Sequence, residues 1–340
     1  MHILVAGAAG FIGYHVCRRL IDEGHSVVGY DGMTPYYDSS LKEVRIARLV
    51  PFNRFLFYRG MLEDKRMLES AALDCEPEVI VHLASQPRVR YSLDAPESYI
   101  SSNLIGSFNV LEIARKFKPS HLLLASTSSV YGSNTIMPLK ETHAADWPLT
   151  IYAATKKAHE VMAHSYTHMW NIPTTVLRFF TVYGPWGRPD MALFKFVDAI
   201  NSDRPIDLYG GGERRRDFTF IDDLVKSVIR LLGVSPVVGK PIVEQGVADS
   251  LSPVAPFRAV NIGGGQPTGL FDFIKAIEAA MGKSATYKML SVQPSDVRET
   301  FADHRLHEAL ISYRPNTPVE TGVVRFVALY YSYSEIGNAN

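Results

Sequence analysis

Apolar residues in the first half of this chain follow two alternating rhythms. Short runs at Ile3 to Ala6, Ser26 to Tyr30, Phe55 to Tyr58, Val79 to Leu83, Leu122 to Ala125 and Thr175 to Phe179 have strand length. Between them the spacing lengthens. Over Phe11 to Glu23, Ile12, Val16, Leu20 and Ile21 share one helical face. Helical spacing recurs near 96–117 and 152–170. Strands that alternate with helices predict parallel βαβ units, hence an α/β fold with a Rossmann-type, doubly wound parallel sheet.

The rhythm changes after about residue 180. Gly and Pro become dense at Gly184-Pro185, Gly187, Pro189 and Gly210-Gly211-Gly212. Helices are expected near 191–201, 222–232, 269–281 and 318–332, with an exposed loop over Val234 to Pro256. The pattern predicts a first domain over 1–180. A smaller C-terminal part follows over 181–340, partly interleaved with the first.

Composition narrows the class. The chain has 340 residues, 46% hydrophobic and 21% charged, enough to bury a sizeable core. Its 35 basic and 35 acidic residues balance, which argues against nucleic acid or a membrane surface as partner. No apolar stretch approaches membrane-spanning length. A strand begins at Ile3, where a signal peptide would place its apolar region later. The two cysteines, Cys17 and Cys75, make no disulfide framework, so the expected location is cytoplasmic. No metal is expected.

Candidate chemistry starts at Gly7, Gly10 and Gly13, between the first strand and the first helix. Glycines there let the backbone approach a pyrophosphate, and the helix N-terminus favours its charge. Asp31 ends the second strand, placed to accept both ribose hydroxyls of an adenosine. Its charge repels a 2′-phosphate, and no Arg or Lys occupies 32–37 to offset that. NAD is therefore the expected cofactor rather than NADP.

Tyr152 and Lys156 stand four residues apart at the start of a predicted helix, on one face. They follow a strand end rich in hydroxyls, Ala125-Ser126-Thr127-Ser128-Ser129-Val130-Tyr131-Gly132. A free Tyr titrates near ~10 and is a poor base at neutral pH. A nearby ammonium and a positive nicotinamide are expected to lower it, which would let Tyr152 take a hydroxyl proton. A Ser or Thr beside it would position the reacting oxygen, and Lys156 can also hold the nicotinamide ribose.

These motifs bring out a resemblance along nearly the whole chain to the UDP-glucuronic acid 4-epimerases of the extended short-chain dehydrogenase/reductase class. It is strongest at Tyr152-Ala-Ala-Thr-Lys156-Lys157, at the run from Arg178 to Ala192, and at Arg216-Asp-Phe-Thr-Phe-Ile-Asp-Asp223. Weaker matches are Val89-Arg90-Tyr91-Ser92, Ala255-Pro256-Phe257-Arg258, Asn261-Ile-Gly263 and Gln293-Pro-Ser-Asp296. The resemblance implies an NAD-dependent isomerase acting on a UDP-hexuronic acid through a 4-keto sugar. It implies Thr127 as the catalytic hydroxyl, with Ser128 as second choice. Gly7, Gly10, Phe11, Ile12, Gly13, Asp31, Leu83, Ala84, Lys156 and Phe179 would hold NAD. Thr181 and Arg188 would bind the sugar carboxylate. Arg216, Asp296, Lys195 and Gln293 would serve the UDP half. A homodimer through segments 96–117 and 152–170 is implied as well.

The chain departs from the family at several positions. Met61 replaces an acid, Pro87-Arg88 replaces a small Ala-Gly pair, Ser295 replaces a Gly, and a Trp is missing near Ala328-Leu329. Competing readings are a UDP-glucuronate decarboxylase, another UDP-hexose 4-epimerase, a sugar-nucleotide 4,6-dehydratase and an NAD-binding sensor. A dehydratase needs acids where Ser128-Ser129 stand. A sensor has no need of Thr127, Tyr152 and Lys156 together.

Overall fold

The computed structural model describes residues 1–291 and 297–337, the side chains of the last helix as far as residue 332. Six strands build the first half: β1 (His2–Ala6), β2 (Ser26–Asp31), β3 (Phe55–Arg59), β4 (Val79–His82), β5 (His121–Thr127) and β6 (Thr174–Phe179). Three more follow, β7 (Thr181–Tyr183), β8 (Ile206–Tyr209) and β9 (Arg215–Phe220), and then β10 (Phe257–Ile262). The central sheet runs in the order β10-β6-β5-β4-β1-β2-β3, every pair parallel. Strands buried on both faces should read as continuous apolar runs. Ile3, Leu4, Val5 and Ala6 of β1 are all buried, at the centre of the sheet.

Helices cover both faces. α1 (Phe11–Asp22) packs with Val16 and Leu20 against Ile3, Val5 and Leu123 on one side. On the other, Leu68, Val110 and Leu111 pack against Leu4, Ile80 and Leu122. Order reverses between β1 and β4, and the crevice at the carboxyl ends of the strands there is where such sheets bind ligands.

The expected helix over 96–117 is broken in the structure. Short turns at 91–94 and 96–99 lead into a π-helix over Ile100–Gly106, and an α-helix resumes over Ser107–Phe117. The cause is visible at Asn103, fully buried in the π segment. Its amide binds both backbone groups of Gln86 (2.8 and 3.2 Å) and the Thr155 hydroxyl (3.1 Å). The long helix Ile151–Trp170 carries Tyr152 and Lys156 as expected.

The second half returns to the first at two places. β10 extends the central sheet beside β6, and the helix Ile221–Leu232 packs on α1. β9 centres a smaller sheet, pairing with β7, with Pro267–Gly269 and with Glu299–Thr300, and β8 pairs separately with Tyr287–Leu290. Residues 234–256 hold no helix or strand, as expected, but are not wholly exposed. Asp249 forms a buried two-point bridge to Arg258 of β10 at 2.8 and 2.9 Å, while Val243 stays in solvent.

Candidate active site

Two clefts open at the carboxyl ends of the central strands. The smaller, about 250 Å³, is lined by all ten residues expected to hold a dinucleotide: Gly7, Gly10, Phe11, Ile12, Gly13, Asp31, Leu83, Ala84, Lys156 and Phe179. The glycines are required by the geometry. Gly7 has φ +93°, and a Cβ there would lie 2.6 Å from the Ala84 nitrogen. A Cβ on Gly13 would lie 1.9 Å from the Gly7 oxygen. No side chain caps α1, which leaves first-turn N–H groups for an anion. The Asp31 carboxylate is held by the N–H groups of Ala9 (3.1 Å) and Met33 (2.8 Å). These residues fit NAD: a pyrophosphate cradle, and an oriented acid for a ribose.

Sequence reasoning missed Lys42 on this wall. Lys42 lies just past the 32–37 stretch, in the first turn of the helix Ser40–Ala47, and reaches back into the cleft. Its ammonium donates to the Thr34 carbonyl (2.9 Å) and hydroxyl (3.1 Å). Burial lowers its pKa, and the charge of Asp31 pulls the other way. Asp31 is therefore not without a nearby cation.

The larger cleft measures about 970 Å³ and meets the smaller one at Thr127, Tyr152, Arg188 and three neighbours that line both. Thr127 ends β5, where its oxygen accepts the Ser129 N–H at 3.2 Å. Tyr152 lies in the first turn of its helix, started by Thr150, whose hydroxyl accepts the Ala153 N–H at 3.2 Å. The Thr127 hydroxyl lies beside the Tyr152 phenol and favours its ionised form. Ser128 lines only the larger cleft and Lys156 only the smaller.

The electrostatics correct one expectation. Burial pushes the Tyr152 phenol up, and the Thr127 hydroxyl and the Arg188 charge only partly offset it. The chain's own groups do not depress this tyrosine. Lys156 is itself desolvated, which lowers it to about 8 against the pull of Glu160. Glu160 is already committed, bonded to Arg178 at 3.0 and 2.7 Å and to Ser126 at 2.6 Å. For Tyr152 to act as a base near neutral pH, a positive charge would have to come from outside the chain, as an oxidised nicotinamide carries.

Arg188, expected to meet a sugar carboxylate, already has a partner within the chain. It binds Asp190 through two bonds, Nε to Oδ1 at 2.9 Å and Nη2 to Oδ2 at 2.7 Å. The Tyr36 hydroxyl donates to the same Oδ2 at 3.0 Å. Arg188 is therefore neither a surface charge nor an unpaired one; one terminal nitrogen, Nη1, lies outside the bridge. Thr181, Lys195 and Arg216 line the larger cleft as expected. Arg216 donates to the carbonyls of Val297 (2.6 Å) and Arg298 (3.2 Å). Gln293 and Asp296 lie outside the described residues. The described lining of this cleft carries seven basic and three acidic side chains, a surface suited to a polyanion.

A profile described as the NAD dependent epimerase/dehydratase family matches residues 3–241. The chain belongs to this family. Among its relatives is a probable UDP-glucuronate 4-epimerase of Rhizobium meliloti, 56% identical over 97% of both chains. The CapI protein of Staphylococcus aureus is 46% identical over 98% of this chain and 99% of its own. The crystal structure of the Bacillus cereus UDP-glucuronic acid 4-epimerase, in complex with UDP-glucuronic acid and NAD, matches with TM-score 0.83. It is 31% identical and spans 98% of this chain and 100% of its own. For a member of this NAD-dependent family, the two clefts divide naturally into a cofactor side and a substrate side. No helix among the described residues is long and apolar enough to cross a membrane.

Proposed function

We propose that this chain is a UDP-glucuronate 4-epimerase, interconverting UDP-glucuronic acid and UDP-galacturonic acid. The observation that carries the reading is the meeting of the two clefts at Thr127, Tyr152 and Arg188. A sugar in the larger cleft would present its C4 hydroxyl to Tyr152 and its carboxylate to Arg188. Bound NAD supplies reversible hydride acceptance at C4. Tyr152 takes the C4 hydroxyl proton and returns it. Thr127 orients the sugar oxygen, and Lys156 supplies positive charge and holds the nicotinamide ribose. Phe179, which lines the smaller cleft, would flank the nicotinamide of a bound NAD.

The resulting 4-keto sugar must turn over while its UDP stays anchored. Arg216 and Asp296 are assigned that role, with Lys195 and Gln293 as further UDP contacts. A carboxylate β to a ketone loses carbon dioxide readily once the breaking bond aligns with the carbonyl π system. Thr181 and Arg188 restrain it from that geometry, which separates this reading from a decarboxylase. Hydroxyls at Ser128-Ser129, where a dehydratase needs acids, support retention of water.

The division into an NAD-binding part over 1–180 and a UDP-sugar part over 181–340 is functional rather than spatial, since β10 joins the first part's sheet. A homodimer is supported by apolar side chains left exposed on the two predicted helices, Ile105 and Phe108 on one, Val161 and Met169 on the other. A cytoplasmic location fits two free, buried cysteines. Mass spectrometry of the product from UDP-glucuronate tests the activity. Unchanged mass supports the epimerase, and loss of carbon dioxide or of water contradicts it.

A further inference from the structure

Arg88 is held in a backbone conformation that suits glycine, with φ +83°. The buried Tyr99 pins the turn, its hydroxyl within hydrogen-bond distance of the carbonyls of Pro87 (2.7 Å) and Arg88 (2.6 Å). The same Tyr99 ring meets Tyr152 edge-on, centroids 6.0 Å apart. The turn is thus built onto the proposed base, and Arg88 lines the larger cleft. Its charge acts on Tyr36, Asp190 and Lys195, which places it at the same end of the cleft.

We propose that Arg88 is a specificity-determining residue that binds the carboxylate of a uronate substrate. The inference rests on the reading of this cleft as a uronate site. Arg188 and Asp190 neutralise each other through their two-point bridge. A carboxylate brought to that pair meets the like charge of Asp190 together with Arg188. Arg88 adds a further positive charge on the wall of the same cleft. Tyr36 donates to Asp190 and feels the Arg88 charge, so it stands between the two. A non-glycine residue at positive φ persists only where its side chain or its surroundings require it. Here the buried Tyr99 holds the turn, and the residue carried there is a cation that lines the cleft.

The test measures binding of UDP-glucuronate, UDP-glucose and UDP by calorimetry, with thermal melting, for the NAD-loaded parent, Arg88→Gly and Arg88→Lys. Arg88→Gly is expected to weaken UDP-glucuronate by about tenfold or more, the loss of a charge-assisted bond. UDP-glucose and UDP should stay within about twofold, and Tm should rise as backbone strain is released. Arg88→Lys should recover part of the uronate affinity. Equal weakening of all three ligands overturns the proposal and moves Arg88 to the UDP half. Unchanged uronate affinity overturns it too. The parent reading is judged separately, by whether the parent turns UDP-glucuronate over without change of mass.

Discussion

Arg188 and Asp190 grip each other through two hydrogen bonds, 2.9 and 2.7 Å, at the end of the cleft where Tyr152 lies. The pair determines how the carboxylate site must be tested. Removing Arg188 alone leaves a largely buried aspartate without its partner, which costs about 3–5 kcal/mol of stability. Arg188→Ala combined with Asp190→Ala avoids that loss. The double variant should raise KM for UDP-glucuronate by about tenfold or more. It should narrow the preference over UDP-glucose and release some UDP-pentose. Kinetics on both sugars, with product masses, check this; an unchanged preference would move the carboxylate site away from Arg188.

Tyr152→Phe removes the proposed base while keeping the ring against Tyr99. Turnover should fall by at least the ~10²–10⁴ typical of general acid–base catalysis. UDP-sugar affinity should barely move. Thr127→Ala should cost less, since it loses a hydrogen bond and not the base. Ser128→Ala should cost less again, because Thr127 is the hydroxyl that acts on Tyr152. A larger loss from Ser128→Ala than from Thr127→Ala would reverse the assignment.

Much of this site was legible because its parts are local. Gly7, Gly10, Gly13 and Asp31 lie at fixed offsets on one βαβ unit, and Tyr152 and Lys156 are one helical turn apart. Thr127 was readable as a strand end before a glycine turn. The hidden parts depend on distant chain. Tyr36 reaches Asp190 across 154 positions, so nothing near Arg188 announced its bridge. Lys42 arrives from the helix Ser40–Ala47, where Ser40 and Glu43 face solvent but Arg45 is buried too, so spacing alone does not tell which polar residues turn inward. The broken helix at 100–106 follows from Asn103 turning inward to Gln86, a demand that periodicity does not record. The upward push on Tyr152 was missed because burial is not written in spacing.

Lys156 gives the pH dependence a direction. Its folded pKa is lowered from the usual lysine value to about 8, so its charge is lost as pH rises through about 8. Turnover should fall along an alkaline limb there, and Lys156→Arg, which keeps its charge, should shift that limb upward. Stability should move oppositely. Between about 8 and the unfolded lysine range the unfolded chain binds more protons, so this group's contribution rises with pH. A kcat profile flat to pH 10 would contradict the assignment.

Asp31 should set the cofactor. The parent is expected to purify with NAD bound and to gain nothing from NADP. Asp31→Ala should release NAD and narrow the gap, since Lys42 nearby can then meet a 2′-phosphate. Nucleotide released on denaturation, identified by mass, reads the first part; titration of emptied protein with both dinucleotides reads the second. Equal affinity of the parent for both would remove Asp31 from this role.

The most direct measurement follows a label. UDP-glucuronate carrying deuterium at C4 is incubated with the enzyme, and the product is examined by mass spectrometry and NMR. The account predicts UDP-galacturonate of unchanged mass, with deuterium retained at C4 and inverted configuration there. A pentose product that has lost carbon dioxide, or a hexuronate whose C4 label has exchanged with solvent, would contradict it.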